Sequence, residues 1–226
     1  MPNLRGMDIS PDAIRNLVLS LPVLLLAFSV HEFMHAWVAL KQGDDTAYML
    51  GRVTLDPRSH IDPIGSLLFP VIGALSNAPI IGWARPTPTD PRKYRNYKRG
   101  DILVSLAGVV GNLGLAVFFA LLHLLAVVIA HSTGVTGFLR TADELFVIGV
   151  QLNIFLIFFN LLPVPPLDGS RVMYHLLPAN LAHAYRQLFP YGFIILYMLL
   201  FLRVLDVIQR PAWFFTDLFL WPASLV

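Results

Sequence analysis

Residues 18–40 read VLSLPVLLLAFSVHEFMHAWVAL, a largely apolar stretch that contains the pentapeptide His-Glu-Phe-Met-His. A helix that crosses a lipid bilayer needs about 20 mostly apolar residues, so this stretch predicts a membrane span over about residues 14–40. His31 and His35 share one face of that helix, because side chains four positions apart have Cβ atoms about 5–6 Å from each other. Two imidazoles at this spacing can bind one zinc ion, with Glu32 placed to act on a water molecule at the metal.

The location of the pentapeptide inside an apolar span favours a functional role for it. A charged side chain at bilayer depth costs roughly 2.5–3.5 kcal/mol on insertion scales, and ionisable residues at that depth usually mark function. The alternative is that Glu32 and the two histidines only form hydrogen bonds between helices, a role that would not require this spacing. The sequence therefore indicates a metal site within the membrane.

The composition of the 226-residue chain is typical of a membrane protein. Hydrophobic residues make up 56% and charged residues 13%, whereas a soluble domain has roughly 25% charged residues. We therefore expect an all-α polytopic membrane protein that forms one domain over residues 1–226, with a core over about residues 14–171 and a C-terminal helix and interfacial tail over about 188–226. The net charge of +2 gives no indication of a nucleic-acid partner. Because the chain has no cysteine, a metal site must use imidazole and carboxylate ligands.

Further apolar segments bring the prediction to about four to five membrane helices. They cover about residues 102–130, 145–162 and 189–207. Residues 61–83 are apolar but contain three prolines and three glycines, which predicts a re-entrant element in place of a simple span. Residues 46–55 (TAYMLGRVTL) have β-branched residues and a central glycine, and they predict a small β-hairpin.

A third metal ligand must come from another segment, because two histidines and a water molecule leave tetrahedral zinc one protein ligand short. Residues 160–169 read NLLPVPPLDG, and their three prolines end the preceding helix. Asp168 follows this break and precedes a glycine that permits a sharp turn. It is a candidate for the third ligand, with a helix cap or turn as the alternative role.

The motifs HEFMH and NLLPVPPLDG together closely resemble those of the site-2 protease family of intramembrane metalloproteases. Between them, GRVTLDPRSHIDPIG, GWARPTPTDPRKYRNYKRGD and AGVVGN resemble the compact subgroup of that family that lacks a PDZ domain. Val109 is a departure, since related sequences often carry proline there. The resemblance covers most of the chain, from the first apolar segment to about Arg171.

This resemblance implies one zinc ion per chain, held by His31, His35 and Asp168, with Glu32 as the general base. It also implies that Asn160 contacts the substrate or the developing oxyanion, although its amide could equally form a hydrogen bond between helices. The implied reaction is hydrolysis of peptide bonds in a transmembrane protein or peptide, by a multi-pass protein of the cell membrane in contact with lipid. The edge of the hairpin predicted at residues 46–55 could pair with the unwound substrate.

Several other polar residues have two open interpretations. Asn112 and Asn153 either line a cavity or form hydrogen bonds between helices. His60 and Asp62 either support the metal site or stabilise a loop. The remaining histidines have no helical partner at ligand spacing and are expected at the surface or in the core: His123, His131, His175 and His183.

The membrane topology follows from the requirement that the ligands meet. We expect the segments at residues 14–40 and 145–162 to run in the same direction, with residues 61–83 re-entering and not crossing. The alternative is that a tilted first segment brings antiparallel helices to a common zinc at mid-depth. Residues 85–99 contain six lysines and arginines, so the charge rule places them in the cytoplasm together with residues 46–55, and the N-terminus outside. A membrane transporter or channel with a buried metal or polar site is the alternative function, but the sequence shows no internal repeat.

Overall fold

The computed structural model describes residues 11–76, 82–135 and 137–226, and all regular secondary structure within these residues is helical. The α-helices are α1 (Pro11–Gln42), α2 (Thr46–Met49), α3 (Phe69–Leu75), α4 (Tyr97–Thr133), α5 (Gly137–Asn160), α6 (Asp168–Leu176), α7 (Ala179–Arg186), α8 (Gly192–Phe201) and α9 (Gln209–Leu220). A π-helix at Pro63–Leu68 leads directly into α3. Short 3₁₀-helices lie at Pro57–Ser59, Pro91–Lys93, Phe189–Tyr191, Val204–Ile208 and Trp221–Leu225.

Four helical segments of the described residues are long and apolar enough to cross a membrane: Pro11–Gln42, Tyr97–Thr133, Leu139–Asn160 and Ala179–Phe201. The chain is therefore an all-α polytopic membrane protein, as predicted. The fourth segment differs from the predicted helix at residues 189–207, because it begins earlier and is interrupted between α7 and α8. A ten-residue helix such as α8 is only about 15 Å long and cannot span the bilayer alone.

The predicted β-hairpin at residues 46–55 is wrong, since this region forms α2 and a turn and the described residues contain no strand. The Asp44 carboxylate accepts a hydrogen bond from the Thr46 N–H (3.0 Å), next to the start of α2. The Arg52 N–H then donates to the Ala47 carbonyl (2.8 Å) and closes the following turn. These local hydrogen bonds override the weak strand propensity of a segment that has no strand to pair with among the described residues. Pairing of a hairpin edge with substrate is therefore excluded.

The two ends of the segment at residues 61–83 lie close together. The Trp83 N–H donates to the Gly65 carbonyl (3.2 Å), and the Arg85 N–H donates to the His60 carbonyl (2.8 Å). Residues 77–81, which include Pro79 of this predicted segment, lie outside the described residues. The contacts between its two ends agree with the predicted re-entrant element and not with a span.

The directions of the long helices follow from their side-chain contacts. On α1 and α4, His31 lies against Asn112 and His35 against Val104, so these two helices are antiparallel. The helices α4 and α5 are also antiparallel, because they follow each other through a short connection and His123 near the end of α4 pairs with Asp143 near the start of α5. Therefore α1 and α5 run in the same direction, in agreement with the prediction.

The loop that follows α1 and the loop that precedes α4 contact each other. Lys93 forms an ion pair with Asp45 (2.6 Å), and the Arg95 N–H donates to the Gln42 carbonyl (2.9 Å). Residues 46–55 and 85–99 are thus on one side, as the predicted topology requires. Their location in the cytoplasm stays a prediction, and the N-terminal residues 1–10, predicted outside, lie outside the described residues.

Candidate metal centre

Three side chains from two distant parts of the chain converge at one point. The Nε2 atoms of His31 and His35 are 3.0 Å apart, and they lie 3.2 and 3.3 Å from Oδ2 of Asp168. The histidines occupy adjacent turns on one face of α1, and Asp168 is the first residue of α6. Among the described residues, this is the one group of three or more metal-ligating side chains found close enough together to hold an ion.

Hydrogen bonds on the far side of each imidazole fix which nitrogen faces the centre. Nδ1 of His35 lies 2.7 Å from the Val104 carbonyl, which can only accept, so this nitrogen carries the proton. Nδ1 of His31 lies 3.0 Å from Oδ1 of Asn112, and it donates in the same way. With Nδ1 as the donor, each ring directs Nε2 toward the carboxylate, the arrangement that a metal-binding histidine needs.

The geometry of these three atoms fits a zinc ion. In a regular tetrahedral site with Zn–N bonds of about 2.0–2.1 Å, neighbouring ligand atoms are roughly 3.3–3.4 Å apart, close to the 3.0–3.3 Å found here. Oδ2 of Asp168 is buried and has no hydrogen-bond partner. Three lone-pair atoms in mutual contact repel one another unless a cation or a proton lies between them.

Gly108 of α4 leaves the space that such an ion needs. A Cβ atom at this position would lie 2.5 Å from Nε2 of His31 and 2.6 Å from Nε2 of His35. These distances are only slightly longer than a Zn–N bond of about 2.0–2.1 Å. The glycine therefore lets the backbone of α4 approach the histidines without filling the site.

Glu32 is buried beside the centre and contacts an extended segment of the chain. Its Oε2 atom accepts a hydrogen bond from the Thr87 N–H (2.7 Å), and its backbone carbonyl accepts one from the Thr87 hydroxyl (3.0 Å). One turn of α1 thus carries both the ligands and a carboxylate held in a fixed orientation.

Asp168 is positioned by a tight turn and by a buried polar pair. A Cβ atom on Gly169 would lie 2.2 Å from the Leu161 carbonyl oxygen, so only glycine permits the chain to return this closely after α5. Further along α6, His175 lies 2.8 Å from the Asp101 carboxylate of α4, and both side chains are buried. These contacts hold the start of α6 against the two histidines.

The structure does not bring every predicted site residue to the centre. Asn160 lies at the end of α5 and its Nδ2 donates to the Leu156 carbonyl of its own helix (3.0 Å). None of the hydrogen bonds found among the described residues joins Asn160 to the two histidines or Asp168.

The structure assigns a role to each of the other polar residues that had two possible interpretations. His60 contacts the Thr54 carbonyl (2.8 Å), and Asp62 accepts hydrogen bonds from two N–H groups at the start of the π-helix, so both stabilise a loop. Asn112 contacts a ligand, whereas Asn153 donates to a carbonyl one turn earlier in α5. The roles of Gly108 and Thr87 were not predicted, because nothing in the spacing of the sequence joins them to the histidines.

Comparison with known proteins agrees with this geometry. The model of Peptidase family M50 matches residues 19–202. The chain belongs to this family, that of the site-2 proteases. It is 42% identical over 181 residues to YwhC of Bacillus subtilis, a match that covers 78% of this chain and 77% of the relative. Rip2 of Mycolicibacterium smegmatis is 31% identical, with coverage of 84% and 70%, and MJ0611 of Methanocaldococcus jannaschii is 29% identical, with coverage of 69% for both chains.

These relatives are named zinc metalloproteases. No solved structure gives a significant match to the chain. Together with the four candidate spans, the family identifies the chain as an intramembrane zinc metalloprotease with a protein substrate. The transporter or channel considered as the alternative is not favoured.

Proposed function

We propose that His31, His35 and Asp168 hold one catalytic zinc ion and that Glu32 is the general base. The observation that carries this proposal is the convergence of two imidazole Nε2 atoms on a buried carboxylate oxygen that has no hydrogen-bond partner. Zinc at such a site lowers the pKa of bound water to about 7 and polarises the scissile carbonyl.

Glu32 is arranged to move protons. The Thr87 N–H occupies Oε2, so the second carboxylate oxygen is left to accept a proton from the attacking water. The same oxygen then delivers the proton to the leaving amine. Burial of Glu32, which is 9% exposed, limits competition from bulk water.

Asn160 is proposed to contact the substrate or the developing oxyanion. Its amide nitrogen carries two hydrogens, and the bond to the Leu156 carbonyl uses one of them. The second can donate to a substrate carbonyl near the site, since residues 161–168 fold back from Asn160 toward the histidines.

The proposed substrate is a transmembrane protein or peptide, cleaved by one protease domain over residues 1–226 of a multi-pass protein in the cell membrane. The ligands lie on and next to helical segments that are long enough to span a membrane. Large apolar side chains of α4 and α8, such as Phe118, Leu121 and Phe201, are exposed on the outside of the protein, where they would contact lipid. A substrate helix has its backbone hydrogen bonds satisfied internally, so it must unwind locally before a carbonyl can reach the site.

The test compares Glu32→Gln with Glu144→Gln. Glu144 is the one other glutamate of the chain and pairs with Arg15 at the far ends of α1 and α5, so it serves as the control. Each variant is reconstituted with single-span membrane proteins, and cleavage and zinc content are measured. We expect Glu32→Gln to retain about one zinc per chain, as for a single catalytic site, and to lose cleavage, while Glu144→Gln cleaves normally. Normal cleavage by Glu32→Gln would refute the role of the base.

A further inference from the structure

An extended segment at residues 82–90, here called the strap, crosses from the re-entrant element to the metal centre. Its alternate residues Trp83, Arg85 and Thr87 donate their N–H groups to the rest of the protein, and the last of these bonds reaches Glu32. Successive residues of an extended chain face opposite sides, which explains the spacing of two. The strap therefore presents one row of N–H donors, and the last donor in the row binds the Glu32 carboxylate.

Two prolines fit this alternation. Pro86 and Pro88 flank Thr87 and have no N–H group to leave unpaired on the other side of the strap. They also favour an extended backbone for the residues before them. The Thr87 N–H is thus the donor that the sequence provides at this point, and its position depends on how the strap is held.

Arg52 holds the strap immediately before Thr87. Its Nη2 atom donates to the carbonyls of Arg85 (2.9 Å) and Pro86 (3.4 Å), which are the two residues that precede Thr87. Arg52 is only 7% exposed although it carries a charge. Burial lowers the pKa of its guanidinium, Arg85 lowers it further, and the negative charge of Glu32 raises it, so Arg52 and Glu32 lie within electrostatic reach of each other.

We propose that Arg52 is a positioning residue for the general base: it fixes the strap so that the Thr87 N–H orients the Glu32 carboxylate. This inference rests on the proposed role of Glu32. Without the guanidinium, the two carbonyls lose their buried donor and the strap can shift relative to α1. A hydrogen bond weakens steeply with distance and angle, and misplacement of a reacting group by about 1 Å can cost roughly 100-fold in rate.

The first experiment compares Arg52→Gln with Arg58→Gln. Arg58 lies in the same loop region but is exposed, and its guanidinium pairs with Asp56, so it is a matched control. We expect Arg52→Gln to lower kcat about 10–100-fold, the usual cost of removing an outer-shell partner, with KM and zinc content unchanged. In the metal-free protein, hydrogen exchange of the amides of residues 83–85 and 87 should become faster in Arg52→Gln and stay unchanged in Arg58→Gln. Arg52→Lys should recover part of the turnover, since it keeps a charged donor.

A second pair of variants tests the N–H group itself. Thr87→Val removes the hydroxyl and keeps the N–H, whereas Thr87→Pro removes both in a segment that prolines already flank. The proposal requires Thr87→Pro to lose turnover with zinc retained, and Thr87→Val to lose much less. If Arg52→Gln does not fold, this pair tests the link from the strap to Glu32, and Arg52→Lys tests the link from Arg52 to the strap: wild-type exchange at the strap amides in Arg52→Lys together with a full loss of turnover would then overturn the proposal.

Turnover of Arg52→Gln at the wild-type level would overturn the proposal, as would equal losses in Thr87→Val and Thr87→Pro. A loss of zinc in step with the loss of turnover would assign Arg52 to maintenance of the fold and would also overturn it. Normal cleavage by Glu32→Gln would show instead that the proposed role of Glu32 is wrong, so the two failures are distinguishable. The exchange rates do not depend on cleavage, so they report on the strap in either case.

Discussion

Replacing Gly108 with alanine places a methyl group where the metal centre needs space. The new Cβ atom would lie 2.4 Å from Cε1 of His31, whereas non-bonded carbon atoms favour about 3.5–4.0 Å. The histidines or α4 must therefore move by roughly 1 Å, although metal–ligand distances tolerate only about 0.2 Å. We expect Gly108→Ala to weaken zinc binding by at least about 100-fold, the upper end of what outer-shell changes cost.

The variant should still fold, which makes the zinc measurement informative. Overpacking typically costs about 1–3 kcal/mol, and alanine recovers about 1 kcal/mol relative to glycine within a helix. The control is Gly114→Ala on the same helix, where a Cβ atom meets nothing within 4 Å. Both variants gain the same helix propensity, so only the overlap with the histidines distinguishes them.

The assay measures zinc per chain after purification and after dialysis against a graded series of chelator concentrations, with thermal unfolding in parallel. Wild type and Gly114→Ala should retain about one zinc per chain, as for a single catalytic site, while Gly108→Ala should lose it at a much lower chelator concentration. Full zinc binding and cleavage by Gly108→Ala would refute the location of the ion between the histidines and α4.

Four further predictions concern the third ligand, the oxyanion, the buried pair of His175 and Asp101, and the topology. Asp168→Ala should lose zinc and cleavage, and normal zinc binding would mean that another side chain is the third ligand. Asn160→Ala should retain zinc and lose about 100–1000-fold in kcat, as for one oxyanion donor; unchanged turnover would return it to a packing role. His175→Ala should lower the free energy of unfolding by about 1.5–3 kcal/mol, the value of a hydrogen bond to a charged group, measured by chemical denaturation. Single cysteines at Asp45 and Asn96 should both resist an impermeant maleimide on intact cells, and labelling of only one would mean that the segment between them crosses the membrane.

The features that could be predicted from the sequence depend on the spacing of residues within one helix or turn. His31 and His35 share a face because the helical period fixes side chains four positions apart, and the apolar surroundings identify that helix as a membrane span. The prolines after Asn160 end α5 because proline lacks an N–H and restricts its neighbour. These rules act within one helix or turn, so they hold before the rest of the chain is placed. The direction of α1 relative to α5 also followed, because a shared metal constrains it.

The groups that surround these side chains become known only from the packing of the helices. Asn112 and the Val104 carbonyl orient the histidines from positions 81 and 69 residues away, and no sequence period relates such distant positions. The space at Gly108 and the strap contact of Thr87 depend on how closely α4 and the strap pack against α1. The hairpin prediction at residues 46–55 failed for the same reason, since a strand is stable only beside a partner and the described residues place none there.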